Sequence, residues 1–155
     1  MNNTRGSALV EFAILLPILL ILAFGITELG RALYQKNILG KSVESGVRYL
    51  ARGYDAIDDD CSTGSTWAGA QASATNLVVY GNEAGTGNAL LPGLDAGGVS
   101  FSVESRPIAG ASDACVVMGS AAAEFDAIFG KSVIPFMEEN LINLHAESEE
   151  RYIGD

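Results

Sequence analysis

The sequence predicts an α+β fold: a long N-terminal helix, a second short helix and a three-stranded antiparallel sheet laid on the long one. Three observations predict it. The chain opens on an uncharged apolar run, Phe12–Thr27, that passes into an amphipathic stripe reaching Leu50. A shorter helical pattern follows at 67–80. After Val99 the hydrophobic period changes from 3.6 to two, and three strand-like stretches succeed one another. At 155 residues the chain has room for one folded domain with a modest core.

Composition narrows the function classes. Nineteen acidic residues against nine basic ones leave a formal charge of −10, which argues against nucleic acid as a partner. One histidine and two cysteines exclude zinc-finger and His-rich metal chemistry. The charge is divided at Gly53. Residues 1–53 carry six basic and three acidic side chains, and residues 54–155 carry three and sixteen.

The Phe12–Thr27 run would cover about 24 Å as helix, short of the ~30 Å hydrocarbon core. Extension back to Ser7 reaches about 31 Å, enough for one span, at the cost of placing Glu11 in or at the edge of the apolar layer. Glu11 is then either a functional group or a carboxylate snorkelling to the headgroups. Three readings of this arm compete. A secretory signal peptide would use Arg5 as its basic flank and Ala23-Phe24-Gly25 as its cleavage site. A permanent anchor would keep Met1. A prepilin-type leader would be cut before the apolar run, after Gly6, and the residues around Arg5-Gly6 favour it: Glu11 becomes the fifth mature residue, followed by the aromatic Phe12.

RGSALVEFAILLPILLILAFGITELGRALYQ resembles the opening of TadE-like proteins, the minor pilins or pseudopilins of tight-adherence, type IV pilus-like systems. The matching features are the glycine at Gly6, the Glu11-Phe12 pair, Pro17 within the run, and the exit Gly25-Ile26-Thr27-Glu28-Leu29-Gly30-Arg31. The close likeness covers about the first 35 residues; the remainder is similar in layout. The resemblance implies cleavage between Gly6 and Ser7 by a prepilin peptidase, an inner-membrane aspartic protease, with Glu11 and Phe12 serving cleavage and assembly. It also implies a pilin-like fold, a cytoplasmic N-terminus, a periplasmic head and later incorporation into an adhesive pilus. The expected partners are the prepilin peptidase, other pilin subunits, the inner-membrane assembly platform and membrane lipid. No cofactor is expected. The charges alone do not set this orientation: Arg5 supports N-in, while Arg31, Lys36 and Lys41 oppose a strict positive-inside count.

Cleavage would create an α-amino group at Ser7, one helical turn from Glu11. In a packed bundle the carboxylate of one subunit can neutralise the amine of its neighbour, which fixes axial register more than it adds stability. Pro17 removes a backbone donor and crowds the carbonyl of Ala13, so a kink or local unwinding is expected, unless this is the ordinary tolerance of proline in membrane helices. Beyond the run, a stripe of Leu29, Leu33, Gly40, Val43, Val47 and Leu50 continues the helix, with Gly53 as its stop. Ser7–Arg52 would be one helix about 69 Å long. Glu28 and Arg31, one turn apart, would pair as structural support at the membrane surface.

The head then reads in order. Asp55–Thr66 is a polar loop whose Asp55, Asp58, Asp59 and Asp60 offer the oxygen ligands calcium takes, but without EF-hand spacing it reads as a solvated acidic loop. Thr66 caps a helix over Trp67–Tyr80 that Gly81 ends. Residues 81–98 are loop; Gly85 and Gly87 are followed by no lysine and no helix, so they form no phosphate loop. Val99, Phe101 and Val103 alternate with Ser100, Ser102 and Glu104 as a half-buried strand, and Arg106–Asp113 turns the chain. Ala114–Phe125 is a second strand. Asp126–Glu139 is an apolar loop, a core flap or a surface for membrane or neighbours. Leu141–Tyr152 is the last strand, with Ile142, Leu144 and Ala146 on one face.

Cys61 and Cys115, an even pair, read as one disulfide in an oxidising periplasm and as two thiols in cytosol. No catalytic constellation stands out. His145 is the single histidine and reads as surface display. Glu147, Glu149 and Glu150 offer the paired carboxylates of glycoside chemistry but read as a solvated strand end. No nucleophile elbow, Cys-x-x-Cys or His-Glu-x-x-His occurs. The chain therefore divides into a leader at 1–6, a hydrophobic assembly helix at 7–30 and a globular head at 31–155, and is not read as an enzyme. The competing reading is a periplasmic binding or enzymatic domain held by an uncleaved single span.

Overall fold

The computed structural model describes residues 4–108, 113–125, 127–128 and 143–154. Helix α1, Thr4–Ala51, runs for 48 residues, about 72 Å at 1.5 Å per residue. Helix α2 spans Trp67–Tyr80. A single 3₁₀ turn at Ala96–Gly98 leads into β1 (Val99–Arg106), followed by β2 (Ala114–Glu124) and β3 (Asn143–Arg151). The strands form one antiparallel sheet in the order β1-β2-β3. Val103 lies opposite Val117 in one ladder, and Ala121 opposite Ala146 in the other. The predicted α+β arrangement is the observed one.

Helix α1 is two structures in one. Every residue from Gly6 to Phe24 is exposed. From Glu28 onward one face is buried, and α1 packs there against β2, β3 and α2. Leu39, Val43, Val47 and Leu50 meet Ala74 and Val78 of α2, Val117 and Ala121 of β2 and Leu144 of β3 in one core. Leu29 and Leu33, expected on this stripe, are 56% and 60% exposed. Val43, Val47 and Leu50 of the stripe are buried as expected, but ahead of them the buried face runs through Glu28, Ala32 and Leu39, so hydropathy misjudged only the start of the stripe.

Two glycines make the packing possible by lacking a side chain. A Cβ on Gly119 of β2 would lie 2.5 Å from Val47 Cγ2 and 2.8 Å from Phe101 Cε1. One on Gly46 of α1 would lie 2.7 Å from Val78 Cγ2 and 3.0 Å from Phe101 Cζ. The Phe101 ring of β1 thus reaches across β2 to both helices through the space these glycines leave.

Several local expectations need correction. Pro17 lies inside α1 without local unwinding; the helix continues on both sides of it. α1 stops just before Gly53, as expected, but without a left-handed turn there. The Arg52 and Gly53 amides instead donate to Tyr49 and Leu50 carbonyls in i→i+3 bonds. The segment after β3 completes this end: the Ile153 amide donates to the Ala51 carbonyl at 2.9 Å and Tyr152 Oη to the Gly53 carbonyl at 2.8 Å. Thr66 does not cap α2 with its side chain; its Oγ1 donates to the Tyr54 carbonyl at 2.7 Å. Gly81 does end α2, at φ 74°, with its amide on the Leu77 carbonyl. β1 runs two residues past its expected end, taking in Ser105 and Arg106 because both pair with β2. Of the expected apolar loop at 126–139, only Ala127 and Ile128 are among the described residues; Leu141 and Ile142 also lie outside them.

Candidate functional site

The N-terminal arm presents its expected functional residues on an uncovered helix. Among the described residues, and apart from the neighbouring backbone of its own helix, nothing lies within 4 Å of a Cβ placed on Gly6. Ser7 and Glu11 sit four residues apart, one above the other on a helical face, and both are exposed. Phe12 is 57% exposed, as are Leu9, Ile14 and Leu22 to similar degrees. By length and composition α1 is apolar enough to cross a membrane. An apolar surface this long marks contact with lipid or with other protein.

The junction between arm and head is built on Glu28. It is 2% exposed, at the first buried position of α1. Its Oε2 pairs with Arg31 Nη1 at 3.1 Å, the expected i,i+3 bridge. Its Oε1 accepts the backbone amide of Ile128 at 2.7 Å. Arg31 in turn stands over the Phe125 ring, 5.5 Å from its centroid. A carboxylate here thus ties the chain leaving β2 to the base of the arm. Sequence spacing indicated the Glu28–Arg31 pair; no local signal reveals a partner 100 residues away.

The acidic loop at 55–66 is held in place. Ile57 bridges Thr63, the Asp58 amide donates to the Ser62 carbonyl, and Cys61 is bonded to Cys115 at a Cα separation of 5.2 Å. Hydrogen bonding from Ser62, through its side chain and then its amide, holds the Asp60 carboxyl below its usual range. Among the described residues no group of three or more His, Cys, Asp and Glu side chains is arranged to hold a metal ion.

The sheet carries the remaining chemical candidates without assembling them, and Glu150 alone of them turns toward α1. His145 Nε2 lies 2.8 Å from Glu147 Oε1, both exposed. Glu149 receives both Nη atoms of Arg106, at 2.9 and 2.6 Å, in a fork that ties β3 to β1 across β2. The Arg106 guanidinium, through those hydrogen bonds first and its charge second, holds Glu149 below the usual carboxylate range. Glu150 faces Arg48 Nε at 3.5 Å. Each of the three glutamates thus has its own partner, His145, Arg106 or Arg48, and among the described residues no two of them are set as an acid–base couple. A shallow hollow of about 390 Å³ lies beside them, lined by Ser100, Ser102, Met118 and Ser120. Ser100 and Ser120 hydrogen-bond each other at 2.8 Å, which is no nucleophile–base pair.

The family model described as TadE-like protein matches residues 6–48, the arm and most of the remainder of α1. No curated protein and no solved structure matches the chain.

Proposed function

We propose, from the TadE-like match over residues 6–48, that this protein is a minor pilin or pseudopilin that takes part in assembling a tight-adherence-type pilus. One observation carries the reading: a wholly exposed apolar half-helix, headed by Gly6 and bearing Glu11, is continuous with the spine of the head. TadE-like proteins are generally structural.

In this reading residues 1–6 are a leader, and the arm holds the precursor in the inner membrane with its N-terminus cytoplasmic. Prepilin peptidase cuts between Gly6 and Ser7. The new amine at Ser7 is neutralised by Glu11 of a neighbouring pilin, since a desolvated charge is tolerated only with a partner. Phe12 and its apolar neighbours exchange lipid for other subunits as the assembly platform moves the protein into the pilus. Pro17 leaves one backbone carbonyl in the arm without a helical partner, a local softness in the segment that is repacked.

The mature N-terminus tests this directly. Mass spectrometry of protein from the envelope should find Ser7. Ile26 would indicate a signal peptidase, and Met1 an uncleaved anchor. Gly6→Asp should leave full-length precursor in the membrane; normal accumulation of protein starting at Ser7 would overturn the leader assignment.

A further inference from the structure

A second surface feature lies at the end of α1 away from the arm. An open groove of about 900 Å³ runs between α1 and α2, with Arg48, Tyr49, Arg52 and Tyr54 along one side and Ser73 and Leu77 along the other. Its lining carries two basic side chains, Arg48 and Arg52, and no acidic one. Arg48 is occupied by Glu44 at 2.7 Å and Glu150 at 3.5 Å. Arg52 is exposed and makes no ion pair among the described residues. Beside it Tyr54 is 70% exposed, a large aromatic surface left in water. The first turn of α2 borders the same groove and contains no acidic residue, so the local field there stays positive.

The complementary feature is the acidic loop. Asp58, Asp59 and Asp60 are exposed on a turn that the Ile57–Thr63 bridge and the Cys61–Cys115 bond hold in one shape. Asp58 and Asp60 are engaged by Ser62, while Asp59 makes no hydrogen bond or ion pair among the described residues. A preorganised anionic tip loses little freedom on docking.

We propose that the α1–α2 groove receives the acidic loop of a second copy of this chain, with Arg52 of one copy facing Asp59 of the next. The proposal rests on the anchored arm of the reading above. Copies whose arms share one membrane stand parallel, and α1 sets both features at its far end, the groove over 48–54 and the loop directly after it. Groove and loop then lie at matching heights on neighbouring molecules. Each copy carries one of each, so the contact propagates along a row, or closes on a dimer where two copies exchange loops. Anchoring raises the effective concentration enough for a contact that would be weak between free molecules.

The test uses the full-length chain in cell membranes, with a photoreactive phenylalanine analogue in place of Tyr54. Illumination should yield a dimer on a reducing gel whose adduct maps to residues 55–66 of the second copy. Arg52→Asp and Asp59→Arg should each lower the dimer yield by about tenfold through like-charge contact, and the double variant should restore it. No homotypic adduct, an adduct elsewhere on the copy, or a double variant as poor as the singles would overturn the proposal. Retention of the Cys61–Cys115 disulfide in each variant excludes misfolding as the cause of a lost adduct. The N-terminus read in the same sample reports on the pilin reading separately: Met1 with an intact, charge-swappable adduct would sink processing and leave this contact standing.

Discussion

Glu28 Oε1 accepts the backbone amide of Ile128 at 2.7 Å, joining the base of the arm to the chain 100 residues downstream. The carboxylate is almost fully buried, and its other oxygen is held by Arg31. The link fastens α1, at its first buried residue, to a segment that follows β2.

Removing that carboxylate should loosen this end of the head. Glu28→Ala takes away the acceptor of a part-buried amide and the partner of Arg31, a loss of about 2–3 kcal/mol. Glu28→Gln keeps an acceptor for Ile128 and should cost less. Thermal unfolding of the detergent-solubilised chain measures both; equal, negligible losses would show that the Ile128 link contributes nothing.

Overpacking at Gly119 should be felt through Val47. Gly119→Ala puts a methyl group 2.5 Å from Val47 Cγ2 and against the Phe101 ring, and should destabilise by about 1–3 kcal/mol. Combining it with Val47→Ala should recover part of the loss, because the two sites are in contact and their effects do not add. Chemical denaturation of the three variants reads this coupling, and strict additivity would contradict it.

Cys61 and Cys115 should be oxidised in protein taken from the envelope. The bridge closes a long loop and stabilises the head by up to about 4 kcal/mol through chain entropy. Non-reducing peptide mapping should recover the linked pair, and Cys115→Ser should lower the melting temperature. Two free thiols would count against a periplasmic head.

Glu11→Ala separates insertion from assembly. Were Glu11 only a snorkelling residue, the substitution would ease insertion and change little else. As the partner of a neighbour's Ser7 amine, its loss leaves that amine unpaired at a cost of about 3–5 kcal/mol. Tenfold per 1.4 kcal/mol then makes incorporation fall by roughly a hundredfold or more, at normal membrane levels. Cleavage is checked in the same sample, so that a block in processing is told apart from a block in assembly. Cleaved Glu11→Ala protein in sheared pili at parental amounts would reduce Glu11 to a bystander.

Local pattern carried much of this protein into view. The Phe12–Thr27 run, the period change at Val99 and Gly81 behind Tyr80 are near-neighbour features, and they indicate the two helices, the first strand and the end of α2. The Glu28–Arg31 pair and the apolar arm were legible for the same reason: hydropathy and charge spacing act over a few residues. Leu33 was misplaced because Leu29 and Leu33 are as apolar as Leu39, and periodicity alone does not say which apolar side of α1 the sheet covers.

Tertiary structure decided what depends on distant segments meeting. It set Ile128 on Glu28, Tyr152 on the end of α1, Arg106 across the sheet to Glu149, and Arg52 beside an open groove. It also redirected Thr66, whose hydroxyl serves the Tyr54 carbonyl instead of its own helix. A buried or crowded polar group takes whichever partner the packed chain brings within about 3 Å, and that partner is chosen by how helices and strands stack, not by residues adjacent in sequence.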